Sequence, residues 1–510
     1  MLHGARESFM QQYLSDGGNS VQSIIATLAE HAVRQPDGLA LIQGEQRVSF
    51  GELWSRIVTA ACHLADNGVR TGDRVMLDAP SQLAFPYGYF ATHLLGAVAV
   101  SLDPGMQPAR REELVERTRP MLAFRIGGAA TGTCPVRPLE ELAALPPRKR
   151  DFPLPALDLL SDLIFTTGTT GRPKGVRLTH RNTAATARQI NAVFGTRPGD
   201  IDVVPIPLYH GFGLGRMRCV LTAGGAVLLA QGFRLPGEIF AAIKRHNCTG
   251  LVGVPAGFAV LLQFGERGLG AVADKLRYIE LGSAVMPLEQ KLALIKYLPN
   301  TKLLMHYGLT EAGRSSFTEF HRDRNRLDTV GLPAPGVQFE VRDEHGKRLP
   351  AGTPGALFVG GEHVSAGYWE DPETTARTFV DGWMRTGDVA HLDAEGFIFL
   401  HGRTDDLMNI GGAKVSPDEI ENVLCAHAAV QEAACIGVPD PRNITGEAIR
   451  AYLVAREGQP QVAEAELRQW VGARLEPYKV PVQYEWTQAL PRTASGKLMR
   501  RILRDGSGKK

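Results

Sequence analysis

Apolar residues recur at helical spacing after Val48-Ser49: Leu53, Ile57, Ala61 and Leu64 share one face, and Ser49 with Glu52 forms a capping-box pattern at its start. The spacing predicts a helix that runs out at Asn67-Gly68. A buried-strand run over 74–78 follows, then an apolar helix and a second such run over 96–102. That rhythm predicts βαβ units in a layered α/β domain. Pro146-Pro147 and the proline-rich 153–155 mark surface connections, and no repeat of fixed period is visible. The pattern changes near Arg403. Beyond it lie a second capping-box pattern (Ser416 and Glu419, with Pro417 at the first helical position), strand-like runs over 432–438 and 448–455, and a helical pattern over 464–475. We therefore expect a large layered α/β domain over 1–404 and a smaller α+β domain over 405–510.

Composition narrows the class without choosing a function. The 510 residues carry 56 basic and 54 acidic side chains, a balance that gives no reason to expect a nucleic-acid partner. The aliphatic stretch over 93–102 is short of the ~18 apolar residues of a membrane span, and the N-terminus lacks the apolar core of a secretory signal. Six cysteines without CxxC spacing predict buried free thiols in a reducing compartment, so a cytoplasmic protein without integral membrane association is expected.

The chemistry concentrates in one segment, Leu163-Ile164-Phe165-Thr166-Thr167-Gly168-Thr169-Thr170-Gly171-Arg172-Pro173-Lys174-Gly175. An apolar run feeds a loop of hydroxyls and glycines. Glycines let backbone N–H groups approach phosphate oxygens, threonines add donors, and Lys174 supplies charge. It is not the GxxxxGK[ST] loop, because Pro173 stands where that pattern requires its second glycine. An ordinary Gly/Thr surface turn is the alternative.

The segment resembles the phosphate loop of the adenylate-forming (AMP-binding) superfamily, which contains acyl-CoA synthetases, peptide-synthetase adenylation domains and luciferases. Four further signatures follow in that superfamily's order: His306 to Glu311 (HYGLTE), Gly382 to Asp388 (GWMRTGD), Gly402 to Asp406 (GRTDD) and Pro491 to Lys497 (PRTASGK). The similarity runs from about residue 25 to 505.

The resemblance implies a two-step reaction. A carboxylate attacks the α-phosphate of ATP to give acyl-AMP and pyrophosphate, and a thiol then displaces AMP. It implies that Thr166, Thr167, Gly168, Thr169, Thr170, Gly171 and Lys174 hold the outer phosphates. Thr310 then contacts the α-phosphate, and Glu311 holds Mg²⁺, a hard cation suited to carboxylate and phosphate oxygens. Gly282, Ser283, Ala284, Tyr307 and Gly308 match the adenine side of the nucleotide site, and Asp388 with Arg403 the ribose side. Lys497 would bridge the acyl carboxylate and the α-phosphate. Asp405 matches the hinge about which the small domain rotates, and Gly411 and Gly412 match the loop that then lines the thiol tunnel.

Tyr209, Gly211 and Leu309 fall where the acyl pocket is expected, and His210 where a gate separates nucleotide and thiol channels. Amino-acid adenylation domains carry a Phe-Asp pair near here. This chain continues Leu214-Gly215-Arg216-Met217-Arg218, which disfavours a free α-amino acid. Leu281, Ser283 and Val285 depart from the small residues usual in the adenine-side wall. The expected activity is ATP-dependent ligation of an apolar carboxylic acid, fatty before aryl, to CoA. Loading of the phosphopantetheine arm of an acyl carrier protein is the alternative. A phosphotransferase would release ADP instead, and a non-catalytic nucleotide-binding module would have no need of Glu311 and Lys497.

Overall fold

The computed structural model describes residues 22–126, 134–166, 173–403, 406, 408–410, 413–440, 447–492 and 498–507. Thr167, Gly168, Thr169, Thr170, Gly171, Asp405, Gly411, Gly412 and Lys497 lie outside them. The chain divides into two compact units. The first comprises Met1–Leu327, Gly331–Gln338 and Val359–Met384, and the second Asp328–Val330, Phe339–Phe358 and Arg385–Lys510.

Local signals at the N-terminal end act as written. Helix Phe50–Asp66 starts where Ser49 accepts a hydrogen bond from the Glu52 amide, and Leu53, Ile57, Ala61 and Leu64 are all buried. Strands Arg74–Asp78 and Val98–Leu102 pair in parallel, the arrangement the βαβ rhythm predicts. They belong to a six-stranded sheet in the order 136–138, 122–125, 74–78, 98–102, 160–166, 174–179. A nine-stranded sheet runs 332–333, 316–319, 302–307, 278–281, 250–253, 201–204, 226–229, 39–43, 46–49. Its interior is parallel and its edges are antiparallel.

Helix Gly211–Thr222 carries Arg216 and Arg218, yet both are buried. Two residues apart on a helix, they point to opposite sides. Arg216 meets Asp202 of the nine-stranded sheet at 2.6 Å, and Arg218 meets Asp162 of the six-stranded sheet at 2.6 Å. The Tyr89 hydroxyl also donates to Asp162, at 2.7 Å. Thus one helix is pinned by opposite charges to both sheets of the first unit.

The second unit contains a three-stranded sheet, Val430–Pro439, Glu447–Ala455 and Gln483–Thr487, with helices Pro417–Cys425 and Glu464–Gly472. The helix expected to 475 stops a turn early. The capping box at Ser416 does not form: its side chain makes no cap bond, and Glu419 instead accepts from Lys479 at 2.7 Å. All six cysteines are free and five are buried. Among the described residues, no helix is long and apolar enough to cross a membrane.

Candidate active site

Three of the expected site segments leave the carboxyl ends of parallel strands in the nine-stranded sheet. Strand Ile201–Val204 leads to Tyr209 and His210, strand Tyr278–Leu281 to Gly282–Ala284, and strand Lys302–Tyr307 to Gly308–Glu311. Strand Leu160–Thr166 likewise feeds the phosphate segment. Ligands of open α/β sheets bind at such carboxyl ends.

Lys174 begins strand Lys174–Thr179, with its backbone opposite Thr166. Its Nζ lies 5.3 Å from the centre of the Tyr368 ring. The Tyr368 hydroxyl donates to Glu311 Oε1 at 2.7 Å. The backbone repeats this link. Val176 bridges to Tyr368, Trp369 N–H donates to Gly175 O at 2.7 Å, and Ser365 N–H donates to Glu311 O at 2.8 Å. Residues 364–369 therefore hold Lys174, the candidate phosphate lysine, and the candidate metal carboxylate to each other. Sequence reasoning missed Tyr368, although the Gly367-Tyr368-Trp369 aromatic pair behind a left-handed glycine was there to be noticed.

Glu311 fits a magnesium ligand. It is a buried carboxylate oriented by a hydroxyl, and Mg²⁺ in nucleotide sites takes one or two carboxylates and completes its shell with phosphate and water. Removing the hydroxyl tests the orientation. Tyr368→Phe should lower kcat/KM for Mg·ATP by about tenfold, the order expected for a lost hydrogen bond to a charged group. Steady-state pyrophosphate exchange against ATP measures it, and an unchanged value would show that Glu311 does not depend on Tyr368.

Gly282 cannot carry a side chain here. A Cβ would stand 2.1 Å from the His306 ring, and that ring is fixed by Glu280, 3.1 Å from its Nδ1. Gly282→Ala should cost about 1–3 kcal/mol from overpacking, visible as a lowered melting temperature together with weakened ATP binding. A variant with wild-type melting would show that His306 yields readily. Beside it, Ser283 sits at φ 71°, a left-handed conformation that non-glycine residues seldom adopt. Leu281 is fully buried in the core under this sheet and contributes nothing to a pocket wall, which corrects the expectation for it; Val285 is 76% exposed.

The rings of Tyr209 and His210 pack tilted at 55°, with centroids 4.7 Å apart. Burial, with hydrogen-bonded Asp103 adding to it, pushes the Tyr209 phenol up to about 12. Burial also lowers the His210 pKa below its usual value against the opposing pull of Asp103, so the imidazole is uncharged near neutrality. A Cβ added at Gly211 would stand 3.9 Å from the Ile164 side chain, an ordinary contact. Tyr209, His210, Gly211, Phe212, Tyr307 and Leu309 are all only partly buried.

In the second unit, Asp388 and Arg403 lie opposite each other on paired strands Trp383–Leu392 and Ile398–Arg403. Arg403 Nη1 is 3.2 Å from Asp388 Oδ1 and donates to Thr386 O at 3.1 Å. These two sequence-selected residues thus form one ion pair.

A lysine beside a hydroxyl-rich loop, joined to a buried carboxylate at the carboxyl ends of parallel strands, marks an α/β enzyme that handles nucleotide phosphates. The chain belongs to the AMP-binding enzyme family: that family's profile matches residues 28–369, and the profile of the AMP-binding enzyme C-terminal domain matches residues 419–497. It is 32% identical to a feruloyl-CoA synthase of an Amycolatopsis species, over 91% of this chain and 95% of that protein. It is 30% identical to a long-chain-fatty-acid–CoA ligase of Escherichia coli O157:H7, over 95% of this chain and 94% of the ligase. Among solved structures, o-succinylbenzoate CoA synthetase from Bacillus subtilis with its acyl-adenylate intermediate superposes with a TM-score of 0.87 at 28% identity, over 95% of this chain and 98% of that one. The same synthetase is also known in complex with ATP and a magnesium ion, with a TM-score of 0.86 at 28% identity, over 94% of this chain and 98% of that one.

Proposed function

We propose that this AMP-forming acid–thiol ligase activates an apolar carboxylic acid, aliphatic in preference to aryl, and passes the acyl group to CoA. The chain is an enzyme that uses ATP and CoA and proceeds through an acyl-adenylate. The observation that carries the finer proposal is the state of the buried carboxylates around helix Gly211–Thr222. Asp202, Glu280 and Asp162 are each matched by an arginine, which leaves none of them to receive a substrate ammonium. The partly buried Phe212 and Leu309, the latter in a segment expected to line the pocket, supply apolar side chains instead. We give loading of a carrier protein's phosphopantetheine arm as the second acceptor, and a cytoplasmic location belongs to the same proposal.

The residues divide the work in a definite way. Lys174 and the Thr166–Gly171 segment would balance the charge of the outer phosphates, and Thr310 would donate to the α-phosphate where negative charge accumulates. Glu311 would hold Mg²⁺, which supplies further charge neutralisation when bound. Gly282–Ala284, Tyr307 and Gly308 would border the adenine, and Asp388 with Arg403 the ribose. Lys497 would serve adenylation. The small domain, bounded at Thr404, would then turn about Asp405, bringing Gly411 and Gly412 to the thiol and leaving His210 as the gate.

A pyrophosphate-release survey over fatty, aryl and amino acids, repeated with CoA and with phosphopantetheinylated carrier protein, tests this. Apolar acids should outperform every α-amino acid, and CoA should outperform the carrier. An amino acid as best substrate would overturn the pocket assignment.

A further inference from the structure

Three arginines of the first unit converge on one open cleft of about 400 Å³, lined by Arg74, Arg119, Arg177, Trp369 and Glu370. Arg74 opens strand Arg74–Asp78, Arg119 follows the last turn of helix Pro108–Thr118, and Arg177 lies within strand Lys174–Thr179. Strands 74–78, 98–102 and 160–166 run parallel, so Arg74 marks the amino end of the six-stranded sheet. The phosphate segment leaves the opposite end. Arg177 stands across from Leu163, about 10 Å of strand short of Thr166. The cleft is therefore separate from the candidate nucleotide site.

Its guanidiniums are held in place without being neutralised. Arg74 Nε, Nη1 and Nη2 donate to the carbonyls of Thr118, Gly72 and Arg119 at 2.6, 3.0 and 2.7 Å. It reaches a carboxylate only at Asp73, 4.0 Å away. Arg177 Nη1 donates to the Ala366 carbonyl at 3.3 Å, and among the described residues its buried Nε has no hydrogen-bond partner. Carbonyls satisfy N–H groups but carry no net charge to balance a guanidinium. Arg119 alone has a close carboxylate, Glu370 at 2.6 Å, and that pair is largely exposed. Trp369 supplies a fixed flat wall. Its indole N–H donates to the Arg117 carbonyl at 3.1 Å, and the Arg74 guanidinium lies 6.0 Å from its ring centre.

We propose that this cleft binds a small phosphoanion, either inorganic pyrophosphate or the phosphates of a nucleotide, at a site apart from the one where ATP is activated. Three guanidiniums against one lining carboxylate leave an excess of two positive charges, which suits a dianion or a more highly charged ligand. The planar fork of arginine matches phosphate oxygens, and several forks can share one phosphate group. Arg74 is already fixed by three carbonyls, so little side-chain freedom remains to be lost on binding. The volume lies in the range of small-ligand sites.

Calorimetric titration of the full-length protein with pyrophosphate tests the site, with AMP and citrate titrated in parallel. Arg119→Gln, a change at an exposed side chain, should weaken pyrophosphate binding at the cleft by about tenfold, and Arg119→Gln with Arg177→Gln by about a hundredfold, the order of one and two lost hydrogen bonds to a charged group. Lys174→Ala removes the lysine assigned to the outer phosphates of ATP and should leave the cleft's binding intact. AMP bound more tightly than pyrophosphate would support a nucleotide as the source of the phosphate, and the reverse order would support the inorganic anion. Wild-type protein that binds neither would overturn the proposal whatever the variants do. Binding lost in Lys174→Ala but unchanged in the folded Arg119→Gln variant would assign the anion to the nucleotide site and overturn it equally. Citrate bound as tightly as either phosphate compound would overturn the phosphate assignment.

Discussion

Lys497→Ala should lower acyl-adenylate formation by about 10²–10³-fold, the magnitude of losing one donor aimed at charge that develops in the transition state. Joining a carboxylate to the α-phosphate brings two anions together, and Lys497 closes the PRTASGK motif as the cation assigned to that approach. Lys174, beside Tyr368, is assigned to the outer phosphates in the same proposal and is not expected to replace it. Thioester formation from pre-made acyl-AMP should survive in the same variant, since the proposed mechanism assigns the second step to Gly411 and Gly412 and not to Lys497. Single-turnover measurements of the two half-reactions decide the matter. An equal fall in both, in a folded variant, would remove the division of labour between the two faces of the small domain.

Arg216→Met should be the most damaging single substitution for stability in the first unit, at about 3–5 kcal/mol. Arg216 is fully buried, lies 2.6 Å from Asp202 and 3.6 Å from Glu280, and is covered by Phe194 and Tyr278 at 4.6 and 5.0 Å. Methionine fills part of the volume but leaves Asp202 without its cation. Chemical unfolding followed at several pH values measures the loss. Burial alone would raise the Glu280 pKa, but Arg314, His306 and Arg216 hold it down to about 2. A carboxyl with a lowered folded pKa stabilises the fold fully above the usual carboxylate range, and that contribution disappears as the pH falls from about 4.5 toward 2. Wild-type protein should therefore lose stability through that window. A stability loss below about 1 kcal/mol in Arg216→Met would show that the cluster is dispensable.

How much was legible depended on whether a signal was local. Helix Phe50–Asp66 could be read because its cap, its apolar face and its stop all lie within the segment itself. The order of the motifs likewise pointed to the phosphate segment, Glu311 and Asp388 as site candidates. Ser416 misled because a capping box is a competition, and Lys479, distant in sequence, offered Glu419 a charge that Ser416 could not match. Leu281 misled because the pattern around Gly282 does not say which way a strand-end side chain turns. Arg216 and Arg218 looked only like missing aspartate and phenylalanine. Two arginines on a buried helix make physical sense only once Asp202 and Asp162 are seen on two different sheets. Tyr368 carried only the weak local signal of an aromatic pair after a glycine, because its value comes from Lys174 and Glu311, far away along the chain.

The stretch over 364–369 binds the strand of Lys174 on one side and the loop of Glu311 on the other. Two parts of the site that descend from different sheets therefore share a single tether, and local unfolding of that tether releases both. Amide exchange at Ser365, Tyr368 and Trp369 would then report one opening event, and occupancy of either end by nucleotide would slow exchange at the other. On the proposed assignment of Lys174 and Glu311, affinity for the phosphates and for the cation would be held in common by this one hexapeptide.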